Sequence, residues 1–307
     1  MKPRQAIALF ALLGVASVAV AQDPAPATAT KPVTLVRVSA IPDFNKGKLD
    51  KTAKAVCDYL TKEVGIEFRF EASSDYTATV NGLVANKLDL VWYGGLTAVQ
   101  TMDAAKKDAV LLACRDVDLE FKTYFVANKD AIAKGLVKPV DKLEDLKAML
   151  KNVSFTFGDK MSTSGHLMPR HFLVQAGIDP EKDFKSPAAY RVSGGHASTL
   201  QAVISGEVDL GALNFVYYDK AKPEEKAGAP IVYTTPKYVD YCWIGHARLG
   251  EDVLKKTKQA LLQLDAKKEA DKAVLDGWGA GKFVAADKQQ WDGIRKVLQA
   301  LPKDFLK

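Results

Sequence analysis

Ser162-Thr163-Ser164-Gly165-His166 follows the run VSFTFG after a three-residue link, Asp159-Lys160-Met161, and reads as the opening of a helix. Amides in a first helical turn lack partners within the helix, and the helix dipole places partial positive charge there. Such a turn holds anions. Three successive hydroxyls add donors, and Gly165 lets the backbone come close. An ordinary N-cap, for which one hydroxyl suffices, is the alternative. Gly194-Gly195-His196-Ala197-Ser198-Thr199 is a second junction of this kind. His196 can donate to an oxyanion from neutral or charged imidazole, although a lone histidine also serves as a cap or surface residue. Trp92-Tyr93-Gly94-Gly95-Leu96-Thr97 is a third, where Gly94 and Gly95 offer amides and Tyr93 a hydroxyl.

Other chemistries find less support. His166 and His171 lie about 140° apart around a helix, which does not suit a shared metal. GxSxG, Walker, GxGxxG and HExxH patterns are missing, so no catalytic residue and no cofactor is nominated. A net charge of +6 on 307 residues comes with mixed-sign runs such as Lys255 to Lys272, which read as solvated helix faces. With no concentrated basic stripe, no nucleic-acid partner is expected. The three cysteines, Cys57, Cys114 and Cys242, show no zinc spacing.

The elements that must carry these junctions alternate in type. Strands are expected at 33–41, 66–72, 88–93, 110–114, 123–128, 153–158, 190–193, 208–213, 231–234 and 241–246. Helices are expected at 50–64, 75–86, from about 164, at 198–204, and through most of 251–301. This βαβα rhythm argues for α/β architecture with mostly parallel sheets. Placing Asp89 over Asp209 reveals an internal echo. Tyr76 then falls on His196, Thr79 on Thr199, Leu83 on Val203 and Leu90 on Leu210. Two matching lobes would produce it, as would chance likeness of generic βα units. Ligands of open α/β sheets sit at the carboxyl ends of strands, so facing lobes would aim their helix starts into one cleft.

Lys2, Arg4, the apolar run from Ala6 to Ala19 and the small-residue site Ala19-Val20-Ala21 make residues 1–21 a secretory signal peptide, implying a periplasmic location. Residues 22–32 are small, polar and proline-bearing, and read as a flexible leader.

Five segments, in order, carry a family resemblance: IPDFN (41–45), DLVWYGGLTAVQ (89–100), FKTYFVANKD (121–130), FTFGDKMSTSGHLMP (155–169) and GGHASTLQAVISGEVDLGALN (194–214). From about Leu35 to His246 the chain resembles the phosphonate/phosphite-type periplasmic binding proteins of ABC transporters. The resemblance implies a type II two-lobed binding protein with no enzymatic activity and a two-strand hinge. Lobe one would be 33–120 plus 238–307, and lobe two 121–237. It implies Ser162, Thr163, Ser164 and His196 as anion ligands, joined by Gly165 and His166 of the same loop, with Tyr76 and Tyr93 on the first lobe. Asn214, where amino-phosphonate binders carry an acid, argues against a ligand bearing an ammonium group.

WYGGLTAVQ, FTFG and LGALN look closest to a branch similar to selenate-like and arsenic-oxyanion binding proteins. On that likeness the leading expectation is an arsenic oxyanion, arsenite held by Cys114 and presented to a sensor histidine kinase. A buried Cys114, or a Cys114–Cys242 disulfide, is the bland alternative. The competing expectation is a selenate-, phosphite- or phosphonate-binding component that delivers to a transporter permease. A hydrolase on the same scaffold is weaker still. A monomer is expected in every case.

Overall fold

Asn45 opens the first helix rather than Asp50, because its side chain accepts the Lys48 amide at 2.9 Å. In this computed structural model residues 32–191 and 195–301 are described. The signal peptide, nearly all of the leader and Gly194 lie outside them.

The order is β1 (Leu35–Ala40), α1 (Lys46–Val64), β2 (Glu67–Phe70), α2 (Tyr76–Val84), β3 (Leu90–Tyr93), α3 (Gly95–Ala105), β4 (Ala109–Arg115) and β5 (Thr123–Ala127). Next come α4 (Lys129–Ala133), β6 (Phe155–Thr156), α5 (Met168–Gln175), α6 (Gly195–Ile204), β7 (Leu210–Asn214), α7 (Phe215–Asp219) and α8 (Pro223–Gly228). The chain continues with β8 (Ile231–Thr234), β9 (Cys242–His246), α9 (Gly250–Gln263), α10 (Glu269–Trp278), β10 (Phe283–Ala285) and α11 (Asp292–Ala300).

Two sheets form, ordered β10-β4-β9-β3-β1-β2 and β6-β7-β5-β8. The architecture is α/β as expected, but the expectation of mostly parallel sheets is corrected. In the first sheet β1 pairs β2 and β3 in parallel, whereas β9 runs antiparallel to both β3 and β4. Strands β1 to β4 therefore point one way, and β9 is wedged between β3 and β4 in the opposite sense. In the second sheet β5 plays the same part, antiparallel to β7 and β8 while β6 and β7 are parallel. The reversed interior strands are the ones next to where the chain passes between the sheets. There Phe121 and Tyr238 exchange two backbone hydrogen bonds of 2.8 Å.

The echo has a structural counterpart. Asp89 accepts the Arg37 amide at 2.9 Å and Asp209 accepts the Ser154 amide at 2.9 Å. Each acid thus ties the start of a buried strand to the start of its parallel neighbour. Period-two alternation sends Phe125 and Ala127 to one face of the second sheet and Tyr124 and Val126 to the other, each face with its own apolar cluster. The larger core covers the first sheet and includes Trp92, Trp243, Trp278 and Trp291. Both sheets belong to one compact unit beginning at Val33.

Candidate functional site

Because β1, β3 and β4 end at one edge of the first sheet, the segments that follow them gather there. Asp43 follows β1, Gly94 follows β3, and Arg115 ends β4. Strand β9 runs the other way, so its entry, Asp240-Tyr241, reaches the same edge, where Cys242 pairs with Tyr93. The second sheet contributes Ser162 to Ser164 beyond β6, the first turn of α6, and Asn214 at the end of β7.

Direct bonds join the two sets. The Leu96 amide donates to Thr163 Oγ1 at 2.9 Å, and Asn214 Nδ2 donates to the Tyr241 hydroxyl at 3.2 Å. Gly195 has φ of +57°, and a Cβ placed on it would meet the Asp43 carbonyl oxygen at 2.0 Å. A crevice of about 480 Å³ opens alongside, and Tyr76 and Gly195 line both it and the buried cluster.

Within the cluster, Ser162 caps its turn by accepting the Gly165 amide at 3.0 Å. The Ser164 hydroxyl, both oxygens of Asp43 and Oδ2 of Asp240 are buried without a hydrogen bond of full geometry, although Tyr238, Tyr241 and Thr163 lie close enough to act on these three residues. Buried polar groups are nearly always paired, so such a concentration marks a place built to engage a polar ligand. His196 is fully buried, and burial pulls its pKa down to about 4, so the ring is neutral at physiological pH. Its Nδ1 lies 3.5 Å from the Asn214 amide, which can donate but not accept, so the ring proton sits on Nε2. Nε2 in turn lies 3.5 Å from the Tyr241 hydroxyl.

Four expectations need correction. Tyr93 is buried and its hydroxyl donates to the Thr79 carbonyl at 2.8 Å, so it braces α2. Gly95 does not present an open amide. The Gly95 amide is taken by Asp240 Oδ1 at 2.8 Å, and Gly94 packs against Thr163 and Ile41. Both ring nitrogens of His166 have partners, Nδ1 at 2.7 Å from the Lys160 carbonyl and Nε2 accepting from Arg170 Nε at 3.1 Å. Burial pulls its pKa to about 3.

Cys114 is the fourth. It lies one residue before Arg115 on β4, so its side chain takes the opposite face from the guanidinium stacked on Tyr241. It is buried, and burial pushes its thiol up to about 12, which leaves no thiolate for arsenic. All three cysteines are free, so Cys114 and Cys242 are not joined. Asn214 does reach the cluster, but its Oδ1 accepts the Tyr217 amide and its Nδ2 serves Tyr241. It thus orients Tyr241 and offers no charge to an ammonium group.

The sequence reading gave no role to Asp43, Asp240 or Tyr241. Burial raises Asp43 to about 6, opposed by the Tyr241 hydroxyl and the charges of Arg115 and Lys48. Burial raises Asp240 to about 7, opposed by the Gly95 amide, with Asp118 adding to the rise. A carboxyl whose folded pKa is raised stabilises the fold below its ordinary range, and that contribution is lost as pH climbs through the raised value. For Asp240 the loss begins near the ordinary carboxylate range and is complete at about pH 7. Asp240→Asn keeps the acceptor for Gly95 and removes the charge. Thermal unfolding should therefore move in favour of the variant, relative to the parent, between about pH 4 and pH 7, and level off above that. A stability difference that stays constant across that range would contradict the assignment.

The comparisons with known proteins agree with this geometry. A family model described as ABC transporter, phosphonate, periplasmic substrate-binding protein matches residues 38–291. A probable ABC transporter phosphite binding protein, PhnD1, from Prochlorococcus marinus (strain MIT 9301) is 37% identical over 276 residues, 88% of this chain and 90% of its own. The phosphonates-binding periplasmic protein of Escherichia coli (strain K12) is 27% identical over 242 residues, 78% and 68% of the two chains. The solved structure of PhnD1 from Prochlorococcus marinus in complex with methylphosphonate gives a TM-score of 0.80 at 36% identity, covering 87% of this chain and 97% of that one. These relatives are periplasmic solute-binding components of ABC transporters, not enzymes, and their partner is a transporter permease. By the extent of the family match and by its likeness to PhnD1, this chain belongs to the phosphonate-type periplasmic substrate-binding proteins of ABC transporters.

Proposed function

We propose that the chain captures phosphite or a short alkylphosphonate such as methylphosphonate and delivers it to an ABC transporter permease. The observation that carries this reading is Ser164. Its hydroxyl is buried and makes no hydrogen bond of full geometry, only a looser approach to Tyr238, in the turn whose neighbours Ser162 and Thr163 already cap the backbone and reach across to α3. Tyr76 and neutral His196, counterparts in the internal echo, complete a small donor set that needs no thiol. The likeness to a phosphite binding protein and to a chain solved with methylphosphonate supports the same class. In this reading residues 33–120 with 238–307 close on residues 121–237, turning about the Phe121–Tyr238 crossing.

Micromolar binding requires about 8 kcal/mol, which five or six charge-assisted hydrogen bonds of ~1.5–3 kcal/mol supply after the cost of closure. Calorimetry should give micromolar or tighter dissociation constants for methylphosphonate or phosphite. Ser164→Ala should weaken them about tenfold, the worth of one such bond. Arsenite and selenate belong in the same series. No heat from either phosphorus ligand, or a preference for arsenite, would remove this reading.

A further inference from the structure

Among the described residues, the centre of this site shows two buried carboxyls. Arg115 is held by Asp118 at 2.6 Å and by the Trp278 carbonyl at 2.7 Å, so its charge is already matched. His196 is neutral. Lys48 stands outside, its ammonium 4.8 Å from the Phe44 ring centroid. Asp43, by contrast, is 1% exposed, and neither carboxyl oxygen makes a hydrogen bond of full geometry, although the Tyr241 hydroxyl and its own backbone amide lie close enough to act on it. It lies among the groups already assigned to the ligand. Tyr76 and Tyr241 both feel its charge, and Gly195 of the opposite sheet presses on its backbone.

A carboxylate and a deprotonated oxyanion only accept hydrogen bonds, so facing each other in a low-dielectric pocket they repel. One proton between them converts the repulsion into a short O–H···O⁻ bond, among the strongest that proteins make. We propose that Asp43 is a specificity residue whose carboxyl shares a single proton with a ligand oxygen. The site then selects oxyacids that keep an acidic P–OH and rejects isosteric anions that hold no proton. This rests on the small-oxyanion reading above and narrows it to hydrogen phosphite, hydrogen alkylphosphonates and their like. Sulfonates and selenate fall outside.

The groups facing Asp43 come from several elements. Lys48 lies on α1, Tyr76 opens α2, Arg115 ends β4 and Tyr241 precedes β9, with Asp240 beside Tyr241 and His196 across it on α6. Asp159 lies on the far side of Tyr76. Burial raises Asp43 to about 6, so the proton can come from the side chain in mild acid or from the ligand near neutrality. Above both, it must come from solvent.

Methylphosphonate and methanesulfonate have nearly the same shape and differ in that proton. Calorimetry on the whole chain at about pH 7.5 should find methylphosphonate bound about 100-fold more tightly, the cost of leaving a buried charge facing another. At about pH 8.5, titrations in buffers of different ionisation enthalpy should show about one proton taken up per methylphosphonate bound. In Asp43→Asn the amide donates to either anion, so the preference should shrink to about fivefold or less and the proton uptake should vanish. The uptake measured on the unaltered protein decides the matter even if the variant fails to fold. Tight methylphosphonate binding without proton uptake overturns the proton sharing and leaves the ligand class standing. Equal binding of the two anions does the same. If neither phosphite nor methylphosphonate binds, both the reading and this proposal fall.

Discussion

Gly195→Ala is expected to weaken methylphosphonate binding by more than about 1,000-fold while the protein stays folded. Gly195 has φ of +57°, where a side chain costs roughly 1–2 kcal/mol, but strain is the smaller part. The added Cβ would sit 2.0 Å from the Asp43 carbonyl oxygen and 2.5 Å from its carbonyl carbon, and backbone cannot swing aside as a long side chain can. Relief comes from separating the start of α6 from the loop after β1. That moves His196 away from Tyr76 and Tyr241, so the ligand loses the donors of one side. Three such bonds at ~1.5 kcal/mol, with the strain, exceed the 4.1 kcal/mol that a thousandfold change represents. Both sheets keep their cores, so thermal unfolding without ligand should shift little. Calorimetry that finds the variant within about tenfold of the parent would falsify the close approach of these two segments.

The same contact shows what the sequence could and could not disclose. The echo between Asp89 and Asp209 was legible because each acid performs the same task, tying adjacent parallel strands at their starts. Its pairing of Tyr76 with His196 carries into the site, since both stand in the first turn of a helix that precedes such a strand. The rule that ligands lie at the carboxyl ends of parallel strands brought Ser162 to Ser164 and the Gly195-His196 turn into view. That rule is blind to Asp240 and Tyr241. They precede a strand, and they reach the site because β9 runs backwards between β3 and β4. Nothing in a local pattern distinguishes a reversed strand from its neighbours.

Asp43 was within view in IPDFN, immediately beyond the first strand, and the position could have been read as the acid counterpart of the hydroxyl turns. Tyr93 and His166 fail for a different reason. Residue type announces a donor, whereas only tertiary structure reveals that the Thr79 carbonyl or the Lys160 carbonyl already takes it. Cys114 was placed by likeness to another branch, and period-two alternation along β4 turns it to the face opposite the Arg115 guanidinium, which stacks on Tyr241.

Asp118→Ala is expected to cost about 3–5 kcal/mol of stability, the largest loss we anticipate from a polar truncation. Arg115 and Asp118 are both buried and meet through two side-chain bonds of 2.9 and 2.6 Å, with a third from the Arg115 amide at 2.8 Å. The guanidinium lies 4.7 Å from the Tyr241 ring centroid and 5.3 Å from that of Trp92. The Asp118 carbonyl receives the Asp240 amide at 3.0 Å, so the pair forms the floor beneath the site. A buried pair is not inherently stabilising, because desolvating both ions offsets much of their attraction, but removing one ion strands the other without water or partner. Thermal unfolding of Asp118→Ala should fall by roughly 10 °C for a chain of this size. The double change Arg115→Met with Asp118→Leu should recover most of that, since no charge is left buried alone. It should nevertheless bind phosphonate more weakly, because Tyr241 and Asp43 lose the positive charge beneath them. Recovery of stability without recovery of affinity would separate the structural work of the pair from its electrostatic work. A single variant within about 1 kcal/mol of the parent would mean that water reaches Arg115, and that the floor of the site is wet.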